Sequence, residues 1–427
     1  MIKFFLEQKI AEFFPHKMTA EQTLATSVTS DFLTSNIANN VLIFKGFAGT
    51  GKTTLLSTLV RVADSLQQKV VLLAPTGRAA KVFSEYSSHP AFTIHKKIYR
   101  LKTFSDEGVG FSLAPNSLRD TVFIVDEASM IANEETGALV FGSGRLLDDL
   151  VRYVYSGENC RLILSGDTAQ LPPVGLSESP ALNADYLKKY NLKPVEIILT
   201  EVVRQESHSG ILINATDIRN ALQTGQTSLY PSITLSGYAD IRKIEGADLI
   251  EELSSAYGRD GIDDTIVICR SNRSAVIYNT GIRNRILYRE EEISSGDRLM
   301  VVKNSYLDDK TKDEPNFIAN GEIIQVIRVR RYEELYGFRF CNILARLIDY
   351  DVEIELKIIL DTLRSESPAL TKEQSDKLYA AIAESYSDVS SSSGRLRKIK
   401  ADPYYNAIRV KYAYAVTCHK AQGGQWS

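Results

Sequence analysis

Eight residues, Gly46-Phe47-Ala48-Gly49-Thr50-Gly51-Lys52-Thr53, directly follow the apolar run Val41-Leu42-Ile43-Phe44 and constrain this chain more than any other stretch. The spacing G-x-x-x-x-G-K-T is that of a glycine-rich turn wrapped around a polyphosphate. Backbone N–H groups and the start of the next helix point at the phosphates, the lysine reaches the β and γ groups, and the threonine hydroxyl ligates Mg²⁺. Such a loop needs a strand before it and a helix after it, and the helix-forming run from Thr54 to Val60 supplies the second. The motif implies a nucleoside triphosphate held by Gly46, Ala48, Gly49, Thr50, Gly51, Lys52, Thr53 and Thr54, with Mg²⁺ on Thr53.

Around this loop, from 41 to about 203, short apolar runs at 41–44, 70–74, 121–125, 161–165 and 195–199 alternate with helical stretches, the signature of a parallel sheet between helices. A polar, Gly-containing interruption at about 96–120 reads as a small hairpin or loop. A second alternating unit begins near 240, with Thr265-Ile266-Val267-Ile268-Cys269 as its clearest buried strand. From 296 to 403 the pattern turns to β-type runs at 298–302, 322–329, 338–348 and 352–360, which predict a small barrel inserted in the second unit. Within that span 372–385 reads as helix and the Ser-rich 387–393 as a mobile loop. Residues 412–416 read as a strand returning to the second sheet, so the domains are 1–203, 204–295, 296–403 and 404–427. The fold class is α/β.

The whole chain, 427 residues with 44% apolar and 24% charged residues, has room for two to four domains. A net charge of −3 excludes a blanket of positive charge, so any nucleic-acid contact must come from a local groove. Cys160, Cys269, Cys341 and Cys418 are scattered without a C-x-x-C pair, which indicates neither a zinc site nor a disulfide framework. No apolar stretch approaches the roughly 20 residues of a membrane span. The N-terminus is broken by charge too early for a signal peptide. Leu6, Ile10, Phe13 and Phe14 fall instead at helical spacing, predicting a docked amphipathic helix in a cytoplasmic protein.

Two strand ends carry the candidate hydrolytic groups. Thr121-Val122-Phe123-Ile124-Val125 runs into Asp126-Glu127, which places Asp126 where the Thr53-bound Mg²⁺ needs a carboxylate and lets Glu127 face an attacking water as general base. Leu162-Ile163-Leu164 leads to Gly166-Asp167-Thr168-Ala169-Gln170-Leu171-Pro172-Pro173. There Gln170 can hydrogen-bond the γ-phosphate or the water, or stand solvated in a structural turn.

Together with Ala74-Pro75-Thr76-Gly77-Arg78-Ala79-Ala80 and Thr200-Glu201-Val202-Val203-Arg204-Gln205, these segments resemble the superfamily 1 DNA helicases in their RecD/Dda-like branch. The likeness extends through Cys269-Arg270-Ser271-Asn272-Arg273, Gly296-Asp297-Arg298, Asn320-Gly321-Glu322 and Thr417-Cys418-His419-Lys420-Ala421-Gln422-Gly423, in the family's order. It implies two RecA-like units and an SH3-like barrel, with ATP and Mg²⁺ as cofactors and 5′→3′ movement on single-stranded DNA. Gln22 would read the adenine edge and Arg204 would reach the γ-phosphate, joining Lys52, Glu127 and Gln170 as catalytic groups. Gly423 would lie at the nucleotide. Thr76, Arg78, His95, Asn272, Thr417, His419 and Lys420 would contact the strand. The interruption near 96–120 resembles the pin that splits a duplex, with Phe104 and Phe111 at its tip. Single-strand/duplex junctions, and replication or repair proteins, are the implied partners, with no membrane.

From 394 to 427 seven Lys or Arg oppose one acid, Asp402, and interleave with Tyr404, Tyr405, Tyr412 and Tyr414. Charge suits phosphates and rings suit bases, although alternate tyrosines in a strand also build cores, and at least two of the four are expected there. The family pattern continues with an arginine-bearing segment beyond Gln425-Trp426-Ser427, which puts turnover in question. Two other readings stay open, an ATP-dependent single-strand clamp and a regulatory P-loop ATPase without unwinding. The guanine-reading N-K-x-D of a GTPase switch does not occur.

Overall fold

A computed structural model of the chain describes residues 2–101, 111–133, 142–203, 209–225, 230–303, 305–306, 317–348, 350–367 and 369–422. The first unit is a six-stranded sheet built from β1 (Asn40–Gly46), β2 (Lys69–Ala74), β3 (Ala91–Thr93), β6 (Thr121–Val125), β7 (Arg161–Gly166) and β8 (Lys193–Leu199). β4 (Tyr99–Leu101) and β5 (Phe111–Leu113) form a separate antiparallel pair between them. The sheet order is β3-β2-β6-β7-β1-β8 and every pairing is parallel.

Period-two alternation explains why these runs are apolar throughout. Val41, Ile43, Phe123, Val125, Leu162 and Leu164 face one core. Leu42, Phe44, Val122, Ile124 and Ile163 face the other. A parallel sheet covered by helices on both sides needs apolar residues at both parities. The N-terminal helix Ile2–Phe13 docks on the second core through Leu6 and Ile10, with Phe14 just beyond it, as its spacing predicts.

The barrel is closed by β10 (Arg298–Val301), β13 (Ile323–Leu335), β14 (Phe338–Leu347), β15 (Val352–Ile359) and β16 (Ile408–Tyr412). A two-stranded pair, β11 (Ser305–Tyr306) with β12 (Phe317–Ile318), precedes β13. β16 lies beyond the boundary at 403: the chain leaves the barrel for two helices and returns to seal it between β10 and β15. Only then does β17 (Ala415–Thr417) pair in parallel with β9 (Val267–Cys269), the second unit's sheet among the described residues. The architecture is thus α/β with a P-loop sheet and a closed five-stranded barrel, as the sequence predicts.

Two expectations need correction. The strand at 265–269 is shorter and half-covered, Ile268 being 54% exposed. The Ser-rich stretch expected to be a mobile loop is in part a helix, Ser392–Ala401, because the Ser391 hydroxyl caps it by accepting from Gly394 N–H.

One buried network joins barrel and second unit. Asp297, fully buried, pairs with Arg283 at 2.9 Å and Arg289 at 2.6 Å and accepts from Tyr414 Oη at 2.8 Å. Tyr412 and Tyr414 are core residues. Tyr404 packs edge-on against Phe340 and donates to Glu333, and Tyr405 packs in the same satellite cluster. Two of the four rings are thus core, as expected, while Tyr404 and Tyr405 stay half-buried. No helix among the described residues is long and apolar enough to cross a membrane.

Candidate functional site

The phosphate loop sits between β1 and the helix Lys52–Ser65, and its two central glycines carry left-handed backbone, φ 82° at Gly49 and 79° at Gly51. Neither position suits an L side chain. A Cβ on Gly51 would also stand 2.5 Å from Gln22 Nε2. Gln22 is buried and held at both ends of its amide: the nitrogen donates to Thr50 O at 3.0 Å and Oε1 accepts from Thr19 N–H at 3.0 Å, completing a capping box. It clamps the loop from the start of its own helix.

Lys52 reaches across β7 to β6. Its Nζ lies 2.8 Å from Asp126 Oδ1 and 3.3 Å from Ser165 Oγ, and Ser165 in turn donates to Asp126 Oδ1 at 2.8 Å. Burial opposes both charges, but Asp126, with Glu127 and Asp167, holds the ammonium above its ordinary value. Burial likewise works against Asp126, and the Lys52 charge with the hydrogen bonds keeps its carboxyl below the usual range.

Glu127 differs in environment and backbone. It has φ 53°, in the left-handed region, the kind of local strain that clusters at functional sites. Its Oε2 is buried without a hydrogen-bond partner among the described residues. Burial, then the Asp126 charge, pushes its carboxyl above the usual value despite Lys52 and Gln170. Gln170 is positioned by Ser129, whose hydroxyl donates to Gln170 Oε1 at 3.1 Å. Thr53 and Thr54 occupy the first helical turn, half-buried, and Gly46 closes β1. Ala48 is exposed, and its N–H donates to Asp167 Oδ2 at 3.1 Å. Arg204 and Gly423 lie outside the described residues, as does Phe104, and the side chain of Phe111 is not described.

Sequence reasoning gave no role to four further groups. Ser165 links Lys52 to Asp126, and Asp167 fixes the tip of the phosphate loop. Glu21 accepts from the backbone N–H groups of Thr200 and Glu201 at 2.6 and 2.9 Å, tying down the segment that leads to position 204. Arg219, buried on the helix Gly210–Thr224, stacks on Phe47 of the phosphate loop at 4.5 Å. Asp167 stands inside a quoted motif and was legible there; the other three act over sequence distances that carry no local signal.

The strand-contact candidates gather by topology. Parallel pairing puts Ala74 beside Thr93, so Thr76 and Arg78 on one side and His95 on the other leave the sheet's carboxyl edge together. Thr76 caps the helix Gly77–Ser87, accepting from Ala79 N–H at 3.2 Å. Gly77 leaves room for Glu322, since a Cβ there would meet its Oε1 at 2.7 Å and the carboxylate would have to shift. Burial pushes His95 down to about 4, so at neutral pH its ring is uncharged. In the second unit Thr417 pairs beside Cys269, which brings Thr417, His419 and Lys420 to the same edge as Asn272. The two units touch at the hydrolytic loop, where Gln422 Nε2 donates to Leu171 O at 2.9 Å.

Comparison with known proteins agrees with this layout. The AAA domain family matches residues 19–230. An uncharacterized protein of Methanocaldococcus jannaschii is 31% identical over 196 residues, 43% of this chain and 15% of that protein. The ATP-dependent DNA helicase dda of Enterobacteria phage T4 is 26% identical over 289 residues, 66% of this chain and 61% of that protein. The ATP-dependent RecD2 DNA helicase of Deinococcus radiodurans is 26% identical over 299 residues, 68% of this chain and 36% of that protein. The chain spans less than two thirds of the length of each of these relatives. The phosphate loop, Asp126-Glu127 and Gln170 are thus brought to one sheet edge in a chain that is similar to the AAA domain family over residues 19–230 and, over part of its length, to these two DNA helicases.

Proposed function

We propose that this chain is an ATP-dependent DNA helicase or translocase that moves on single-stranded DNA in the 5′→3′ direction. One observation carries the reading: Gln422, next to the strand-contact residues, is hydrogen-bonded to the carbonyl beside Gln170, so the candidate nucleic-acid edge and the hydrolytic loop share a contact.

The oxygen donors at the phosphate loop, a hydroxyl on Thr53 and a carboxylate on Asp126, are those a hard divalent cation takes. Among the described residues no three His, Cys, Asp or Glu side chains gather as a closed metal cage, which fits an ion held by one or two protein oxygens and by phosphates. Mg²⁺ there would neutralise charge on the β and γ oxygens. Phosphate competes with Asp126 for the Lys52 ammonium, so ATP draws Lys52 to the β and γ groups and frees the carboxylate. Glu127, raised in pKa and with Oε2 lacking a hydrogen-bond partner among the described residues, takes a proton from the attacking water as the water oxygen bonds to the γ-phosphorus. The bond to the ADP oxygen breaks. Gln170, braced by Ser129, orients the water or the γ-phosphate, and Arg204 supplies positive charge there. Thr76, Arg78, Asn272, Thr417 and Lys420 hold strand phosphates, while His95 acts as a neutral hydrogen-bonding group. The hairpin of β4 and β5 serves as the pin.

The test is the ATP hydrolysis rate with and without single-stranded DNA. Strong stimulation is expected. Hydrolysis indifferent to DNA supports a regulatory ATPase instead, and DNA binding without stimulation a static clamp.

A further inference from the structure

Burying a cation costs several kcal/mol unless a carboxylate or another anion accompanies it. At the seam between barrel and second unit, one buried cation and three half-buried ones stand together with no carboxylate partner among the described residues. The ladder of β10 and β16 sets Met300 opposite Lys411 and Val301 opposite Val410, and Val302 N–H donates to Arg409 O, so Lys303 follows the residue opposite Arg409 and feels its charge. Arg409 and Lys411 share one face of β16, because side chains two apart on a strand point the same way. Ile408, Val410 and Tyr412, of the other parity, fill the barrel. Lys420 completes the row, its ammonium donating to the Asn320 amide oxygen.

The partners of these groups are neutral. Arg409, only 8% exposed, has among the described residues one long side-chain hydrogen bond, 3.5 Å to the Ala407 carbonyl. Lys411 donates to the Ser365 carbonyl. Among the described residues none of the four forms an ion pair. The titratable groups acting on them are one another and the Tyr405 phenol. Such a row suits an extended polyanion.

We propose that Lys303, Arg409, Lys411 and Lys420 form a phosphate-binding track for single-stranded nucleic acid that carries the strand from the edge of the second unit onto the outside of the barrel. The track rests on the translocase reading and extends it to a surface that the family motifs do not mark, apart from Lys420. A nucleic-acid backbone is favoured over a free polyphosphate because the row is continuous with Thr417 and His419 through Lys420. A neutral or apolar partner would leave the desolvated charges uncompensated.

Protonation offers an independent readout. Burial, with Arg409 beside Lys303 and Lys411 beside Lys420, brings Lys303, Lys411 and Lys420 each down to about 8. A bound phosphate favours the charged forms, so binding takes up protons near pH 8, and affinity falls as pH rises through that value.

The experiment uses the full chain and a fluorescein-labelled oligothymidine, with anisotropy titrations across a series of salt concentrations at pH 7 and pH 9. Each phosphate contact on a single strand contributes about −0.7 to the slope of log K against log salt. Lys303→Gln/Lys411→Gln is expected to flatten the parent slope by about 1.4 and to remove most of the extra loss of affinity at pH 9. Thermal unfolding of the double variant should occur at or above the parent temperature, because two partly desolvated charges that lack a carboxylate partner among the described residues have gone. An unchanged slope overturns the track. So does a lowered unfolding temperature with unchanged slope, which marks the lysines as structural. Inorganic tripolyphosphate that stabilises the parent but not the variant, while both bind the oligonucleotide alike, assigns the row to free phosphate and also overturns it. A parent chain that binds no oligonucleotide would contradict the translocase reading itself, a different failure.

Discussion

Lys52 and Asp126 stabilise each other while held at the place where a triphosphate and its cation would separate them. Lys52→Met should therefore abolish hydrolysis and also destabilise the fold by about 3–5 kcal/mol, since a buried carboxylate loses its cation. The double variant Lys52→Met/Asp126→Asn should recover most of that stability without hydrolysis, as read by denaturant titration and phosphate release. Glu127 has the opposite signature. Its native pKa is raised, so the native state binds a proton more tightly than the unfolded chain, and stability falls as pH rises through that value. Glu127→Gln should raise the unfolding temperature by about 1–2 °C and cut hydrolysis by about 10²–10⁴-fold with ATP binding retained. Parent-level hydrolysis would remove Glu127 from the role of base. These residues were legible because each motif is contiguous and ends a strand. Ser165, Glu21 and Arg219 were not, because their partners come from elements 39, 179 and 172 residues away.

Five of the six strands of the first sheet were readable from apolar runs, since burial on both faces of the central ones removes polar positions, whereas β3, three residues long at the edge, carried no such run. The second unit was harder: β9 is three residues long with its middle side chain exposed, and its partner β17 arrives only after the barrel is sealed. Contacts between elements also explain a glycine that the sequence placed on a nucleic-acid path. Gly77 admits the barrel's Glu322, whose carboxylate also accepts from Tyr350 Oη at 3.2 Å. Gly77→Ala should cost about 1–3 kcal/mol through that overlap. Adding Glu322→Ala should return much of the loss, a non-additivity that a double-mutant cycle in denaturant would register. At the junction of barrel and second unit, Asp297→Asn should cost about 3–5 kcal/mol, because Arg283 and Arg289 lose their shared carboxylate. A loss below about 1 kcal/mol would mean that Tyr412, Tyr414 and the Glu291 carbonyl suffice to hold those guanidinium groups.

At the scale of the molecule, the candidate strand contacts lie on the carboxyl edges of two sheets, with the barrel beside them and a hydrogen bond from Gln422 to the hydrolytic loop. The net charge of −3 limits affinity to that local surface. About five phosphate contacts there predict a slope of log K against log salt near −3 to −4, with little sequence preference. Salt-independent, strongly sequence-specific binding would be incompatible with such a surface. The central claim is ATP-driven movement along one strand, and strand displacement tests it most directly. The full chain is mixed with ATP, Mg²⁺ and a short duplex bearing a single-stranded tail at either its 5′ or its 3′ end, and release of the labelled strand is followed in time. The account predicts ATP-dependent release from the 5′-tailed duplex and little from the 3′-tailed one, with Lys52→Met inactive on both. Release without ATP, or equal release by parent and Lys52→Met, would contradict it.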